Sequence, residues 1–130
     1  MPAMTGRPEC TSAVRALGER LAQAGPETLV HGDASMRNMR TSSKGEIALL
    51  DWEDVGTGPG VGDLAWLLVS SVEPSDWSET ILAYGDSEGL YDALPAATAQ
   101  AFFALTDAPV HSEAAAAWVQ RIEEASQRLT

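Results

Sequence analysis

Apolar residues recur at helical spacing near both ends of this chain. Val14, Leu17 and Leu21 stand three and four apart, which predicts an amphipathic helix capped by Thr11 or Ser12 and running to about Ala24. Gly25-Pro26 stops it. Ala115, Trp118, Val119, Ile122, Ala125 and Leu129 form the stripe of a last helix, from about Ser112, its expected cap, to Leu129. Between them, the continuous apolar run Leu64–Val69 predicts a buried helix ending near Ser71, with Asp63 near its cap. Pro74 breaks the chain. Pro74 or Ser75 then starts a helix containing Trp77, Ile81, Leu82 and Tyr84, which Gly85–Gly89 ends. A further helix is expected from about Tyr91 to Leu105, with Pro95 early in it or dividing it in two, before a break at Pro109.

The middle of the chain follows another pattern. Thr28–Val30 reads as a short extended entry, and residues 31–38 as a polar loop. Met39–Thr41 and Ile47–Leu50, joined by the turn Ser42-Ser43-Lys44-Gly45, predict a β-hairpin. Antiparallel pairing there brings Asn38, just before the first strand, close to Asp51, at the end of the second. Glu53–Gly62 holds four glycines and one proline and reads as loop. No Lys-Ser/Thr pair follows these glycines, so they are not a nucleotide-cradling loop, but turns that return Asp63 beneath the central loop. The expected fold is mainly α with a small β-hairpin, which must lie on the helices or on a partner. Residues 1–10, with two prolines and a glycine, read as a loose lead, and 11–130 as one domain.

Composition narrows the setting. Of 130 residues 45% are hydrophobic, enough for a folded core and too many for a disordered chain. Eight basic against 19 acidic residues give a net charge of -11, which argues against nucleic-acid or anionic-membrane partners. The lone Cys10 excludes an internal disulfide, and no apolar run reaches signal-peptide or membrane-spanning length, so the expected compartment is cytoplasmic.

The polar chemistry concentrates between His31 and Asp63. Asn38 and Asp51 offer few oxygen ligands, a set that suits Mg²⁺ bound with a nucleotide. Asp33 could accept a proton from a substrate hydroxyl; equally, Asp33 and Asn38 could tie a surface loop together. His31 reads as a half-buried brace for the loop, Asp63 as a capping or loop-bracing carboxylate. Glu53 and Asp54 read as a solvated loop face. Trp66, Trp77 and Trp118 are core candidates, while Trp52 stands in a polar loop. Two distant histidines and one cysteine exclude a structural zinc site.

The order His31-Gly32-Asp33, Asn38, Leu50-Asp51-Trp52-Glu53, Gly58-Pro59 and Asp63-Leu64-Ala65 resembles the C-terminal part of the aminoglycoside phosphotransferase family, which shares a kinase-like fold with choline kinases. The resemblance implies transfer of a nucleotide γ-phosphoryl group to a hydroxyl of a small molecule, with Mg²⁺ and ATP or GTP as cofactors. It implies Asp33 as the catalytic aspartate, Asn38 and Asp51 as Mg²⁺ ligands, and His31 and Asp63 as structural supports. Ser35, Met36 and Arg37 depart from the family pattern, where a histidine and a Pro-Gly often stand; Arg37 could reach a phosphate. The fold implied is a partial protein-kinase-like C-terminal lobe. The 30 residues before His31 show no phosphate-covering loop or strand lysine, and Lys44 lies in a turn. This chain alone is therefore expected to be inactive or incomplete, the nucleotide-binding lobe coming from upstream sequence or another chain. The acidic balance suits a cationic acceptor. The non-enzymatic alternative is an acidic helical binding or regulatory module derived from the same fold.

Overall fold

A computed structural model describes residues 8–129. Helix α1 (Pro8–Ala22) leads into strand β1 (Glu27–Val30). A 3-10 turn over Met36–Asn38 precedes β2 (Met39–Thr41) and β3 (Ile47–Leu49), and β4 (Gly56–Pro59) runs straight into α2 (Gly60–Ser71). A second 3-10 turn (Pro74–Asp76) opens α3 (Trp77–Tyr84), followed by α4 (Leu90–Asp107) and α5 (Glu113–Leu129). The chain is mainly helical. No helix among the described residues is long and apolar enough to cross a membrane.

The core lies between helices. α2 buries Val61, Leu64, Ala65, Leu68 and Val69 against Leu90, Ala93, Leu94, Ala97 and Ala101 of α4, with Ile122 and Ala125 of α5 closing it. The small alanines of α4 let its backbone approach α2, so Leu68 and Leu94 are fully enclosed. Trp77 is also fully buried, and its indole Nε1–H donates to the Val72 carbonyl at 2.8 Å. Burying that ring without a partner for its N–H would be costly.

The expected hairpin is present, with Met39 opposite Leu49 and Thr41 opposite Ile47. Its turn is closed by Gly45 N–H on the Ser42 carbonyl at 3.0 Å, with Gly45 at φ +82°. The Ser42 hydroxyl also accepts from the backbones of Lys44 and Glu46.

Several elements differ from expectation. The glycine-rich stretch is not all loop: Gly56–Pro59 forms β4, paired antiparallel with β1 from Glu27↔Pro59 to Val30↔Gly56. Among the described residues there are thus two two-stranded sheets rather than one hairpin. Glycine carries no β-propensity signal, so the strand follows from its pairing with β1; close approach begins just after it, where a Cβ on Gly60 of α2 would lie 2.8 Å from the Tyr84 hydroxyl. α1 is already helical from Pro8, so neither Thr11 nor Ser12 is its cap, and residues 8–10 belong to the helix. The remainder of the supposed loose lead, residues 1–7, lies outside the described residues. α2 starts at Gly60, which puts Asp63 inside its first turn rather than at its cap. The last helix does carry its expected cap: Ala115 N–H donates to the Ser112 hydroxyl at 3.0 Å.

Pro95 lies inside a single unbroken α4. A proline there cannot donate to the carbonyl four residues back, that of Tyr91. Arg20 on α1 supplies the replacement, with Nη2 donating to the Tyr91 carbonyl at 3.3 Å and Nε to Asp92 Oδ1 at 3.0 Å. A cation from another helix thus satisfies the orphaned carbonyl.

Gly89, at φ +88°, precedes α4, and a Cβ there would fall onto the Ala24 carbonyl. Gly45 has a similar φ but open space around it. Gly89→Ala is therefore expected to destabilise the protein well beyond the ~1 kcal/mol that left-handed backbone alone costs. Gly45→Ala should cost only about that amount. Chemical denaturation of both variants checks the difference.

Candidate active site

The first turn of α2 fixes the loop after β1. β4 runs antiparallel to β1, and α2 turns back along β1, bringing Asp63 to the loop's start. The Asp63 carboxylate accepts the backbone N–H of His31 at 2.8 Å and that of Gly32 at 3.1 Å. Charged acceptors make the stronger hydrogen bonds, and here one side chain satisfies two consecutive loop amides.

His31 is buried, and its tautomer follows from its partners. Asp33 N–H donates to His31 Nδ1 at 3.1 Å, so Nδ1 carries no proton. Nε2 therefore carries it and donates to the Leu50 carbonyl at 2.7 Å. The ring thus links the loop to the end of the hairpin. Trp52 packs edge-on against it, with ring centroids 4.6 Å apart, and donates Nε1–H to the Leu49 carbonyl. Gly32, at φ +92°, lies against Asp54, where a Cβ would sit 2.8 Å from the Asp54 Cβ. Only glycine fits there without strain.

Asp33 is held from three directions. Trp66 Nε1–H of α2 donates to Oδ1 at 2.8 Å. Arg37 Nη2 and Asn38 Nδ2 donate to Oδ2 at 2.9 and 3.1 Å. Asn38 Nδ2 also donates to the Asp33 carbonyl at 2.8 Å. Burial alone pushes the Asp33 carboxyl up, but hydrogen bonds from Arg37, Trp66 and Asn38, together with the Arg37 charge, outweigh it and hold it below its ordinary value. A carboxylate offers roughly four lone-pair sites, and three are taken, leaving one on Oδ1.

The hairpin brings Asn38 and Asp51 to neighbouring positions. Leu50 N–H donates to the Asn38 carbonyl at 2.7 Å, extending the β2–β3 ladder, and Asp51 follows Leu50. Asp51 is exposed and left-handed, at φ +60°. Asp tolerates that region better than most residues, and such outliers gather at functional sites. Asn38 commits its NH₂ to Asp33, leaving its Oδ1 as the atom suited to a cation. Among the described residues no group of three or more His, Cys, Asp or Glu could hold a metal ion. Two oxygen ligands are nonetheless a chemically suitable set for Mg²⁺, which keeps several waters and shares phosphate oxygens.

Three contacts were not foreseen from the sequence. Trp66, one of the core candidates, also positions Asp33 through its indole. Arg37 forms an ion pair with Asp33, and its pKa is raised by that hydrogen bond and charge and by attraction to Asp51. It is the cation the two carboxylates share. Ser71 on α2 accepts the Met36 N–H at 2.8 Å, fixing the 3-10 turn. A cavity of about 510 Å³ opens beside this turn, lined by Ser35, Arg37, Trp66, Asp107, Trp118 and Arg121 among others. Glu53 and Asp54 are exposed on the loop. Trp118 is partly buried and Trp52 about half exposed.

The family model described as the phosphotransferase enzyme family matches residues 4–100, about three quarters of the chain. No curated protein and no solved structure matches the chain.

Two measurements test this geometry. Asp63→Asn replaces one acceptor oxygen by an NH₂ that meets a backbone donor. It is expected to destabilise the fold by about 1–3 kcal/mol and to speed amide exchange at His31 and Gly32. Arg37→Ala tests the Asp33 cage through pH. Asp33's native pKa lies below its unfolded one, so its stabilisation is full above the unfolded value, about 3.9, and is lost as pH falls through the native value. Arg37 is largely exposed, so its removal should cost only ~0.5–1 kcal/mol at neutral pH. That difference should vanish once acid protonates Asp33 in both proteins.

Proposed function

This chain belongs to the phosphotransferase enzyme family, and from that premise we propose that, completed by a nucleotide-binding lobe from upstream sequence or another chain, it moves the γ-phosphoryl group of ATP or GTP to a hydroxyl of a small molecule. Asp33 faces the acceptor, while Asn38 and Asp51 are the Mg²⁺ ligands. His31 and Asp63 support the loop, and the helical domain with its two small sheets corresponds to a kinase-like C-terminal lobe. The observation that carries this reading is the Asp33 carboxylate: three donors fix its plane, and its remaining acceptor position lies on the oxygen beside Trp66, which lines the cavity.

Phosphoryl transfer needs positioning and charge stabilisation more than a strong base. Asp33 fits that demand, because the donors that lower its pKa also fix its orientation. Asp33 accepts the hydrogen bond of the acceptor hydroxyl and orients its oxygen, then takes the proton as the new O–P bond forms and the bond to the departing nucleoside diphosphate breaks. Asn38 and Asp51 would hold Mg²⁺, which when bound neutralises phosphate charge. Arg37, beside both carboxylates, can turn from Asp33 to a phosphate oxygen. A cytoplasmic setting, where these nucleotides are abundant, belongs to the same reading.

A second reading is a non-catalytic acidic binding module. The Arg37–Asp33 ion pair favours it, since it occupies the oxygen Oδ2 with an internal cation.

The two are separated by calorimetry and by transfer of labelled γ-phosphate to a panel of hydroxylated molecules. Catalysis predicts that the chain alone binds nucleotide weakly or not at all, and that the protein completed by its nucleotide-binding lobe shows Mg²⁺-dependent binding that weakens at least tenfold in Asp51→Asn, about 1.4 kcal/mol. It also predicts transfer that falls about 10²-fold or more in Asp33→Asn, with nucleotide binding retained. Nucleotide binding indifferent to Asp51→Asn, or transfer indifferent to Asp33→Asn, overturns the site assignment.

A further inference from the structure

The cavity beside Asp33 has a local charge unlike that of the whole chain. Two cations and one anion line it, although the protein carries a net charge of -11. Arg37 is paired with Asp33. Arg121 of α5 is different: no carboxylate lies within ion-pair distance of it among the described residues, and its side chain is partly buried. Its Nε donates to the Val69 carbonyl at 2.6 Å, and its guanidinium lies 4.5 Å from the centre of the Trp118 ring. The carbonyl end of α2 and the ring face offset part of its charge. Burial pushes the Arg121 pKa down, the mark of a cation short of compensation.

A second observation comes from a residue that lines the same cavity. The Ser35 hydroxyl is buried at 4% exposure, and it is the buried side-chain polar atom without a hydrogen-bond partner among the described residues. Buried hydroxyls are nearly always paired. Ser35 lines the cavity, two residues from Asp33. Asp107 also lines it, but is exposed, so water screens its charge more than that of Arg121.

We propose that this cavity takes an acceptor bearing a carboxylate as well as a hydroxyl, with the Arg121 guanidinium receiving the carboxylate and the Ser35 hydroxyl donating to the same molecule. This rests on reading Asp33 as the residue that faces the acceptor. A guanidinium fork matches a carboxylate, and one unpaired cation balances one negative charge better than the nearly two of a phosphate monoester. It also reverses the expectation drawn from composition. Net charge acts on distant approach and is screened over roughly 8–10 Å, whereas a partly buried guanidinium acts at contact. A cationic acceptor would meet Arg121 as a like charge.

The test is titration of the full chain with glucuronate, glucose and glucosamine, which share a ring but carry one negative, no and one positive charge. Binding is read from the indole N–H signals of Trp66 and Trp118 by NMR. Glucuronate is expected to bind at least tenfold more tightly than glucosamine, and Arg121→Gln to erase that preference while Arg121→Lys keeps part of it. Ser35→Ala removes an unpartnered buried hydroxyl, so it should leave thermal stability unchanged or raised while weakening glucuronate severalfold. Equal binding of the three sugars, a preference for glucosamine, or no indole shift with any of them at tens of millimolar overturns the proposal. So does a preference that survives Arg121→Gln. None of these readouts needs turnover: absent phosphoryl transfer with an intact glucuronate preference counts against the catalytic reading alone, and transfer without the preference counts against this inference alone.

Discussion

The carboxylate of Asp63 is the constraint on which the site depends. It binds two consecutive backbone amides, those of His31 and Gly32, and so anchors the loop to the first turn of the most deeply buried helix. The same helix reaches the loop twice more, through Trp66 to Asp33 and through Ser71 to the Met36 amide. Trp66 and Ser71 stand three and eight residues after Asp63, a spacing that keeps the three on one side of a helix. Leu64, Leu68 and their neighbours on the same helix pack into the core. Core packing therefore sets the position of the loop: a shift of α2 against α4 would move all three attachments together.

Electrostatics adds a second layer of order. Asp33 and Asp51 share one cation, Arg37, which reaches the first by direct contact and the second by longer-range attraction. Two carboxylates close to a common centre repel unless a positive charge lies near them. Arg37 supplies that charge from within the chain. It stands directly before Asn38 in the 3-10 turn, so the turn that presents the amide also presents the guanidinium.

Much of this was legible in the sequence. Helical periodicity located five helices, and turn residues located the β2–β3 hairpin with its Asn38–Asp51 proximity. The glycine-rich stretch was not legible as a strand, because glycine and proline carry no β-propensity and β4 is fixed by its pairing with the distant β1. Trp66 read as core because its spacing is that of a buried face, and it is buried; spacing cannot reveal that its one polar atom points at a carboxylate. The α1 stripe was only half right: Leu21 packs on the core, but Val14 remains about half exposed. Arg20 gave no signal at all, because the carbonyl it satisfies is created by a proline seventy-five residues away in sequence. Long-range compensation of that kind is written in three dimensions only.

The contrast between the two carboxylates bears on their roles. Asp33 is fixed by three donors on one side chain and by a backbone N–H on His31. Asp51 is exposed, left-handed, and held through the backbone of its neighbour Leu50. A group that must orient a hydroxyl needs a fixed plane, since a small misplacement of reacting atoms is costly. A group that binds a hydrated cation needs open lone pairs and room for water. The fold places its donors on the first carboxylate and leaves the second open, the arrangement that the proposed roles call for.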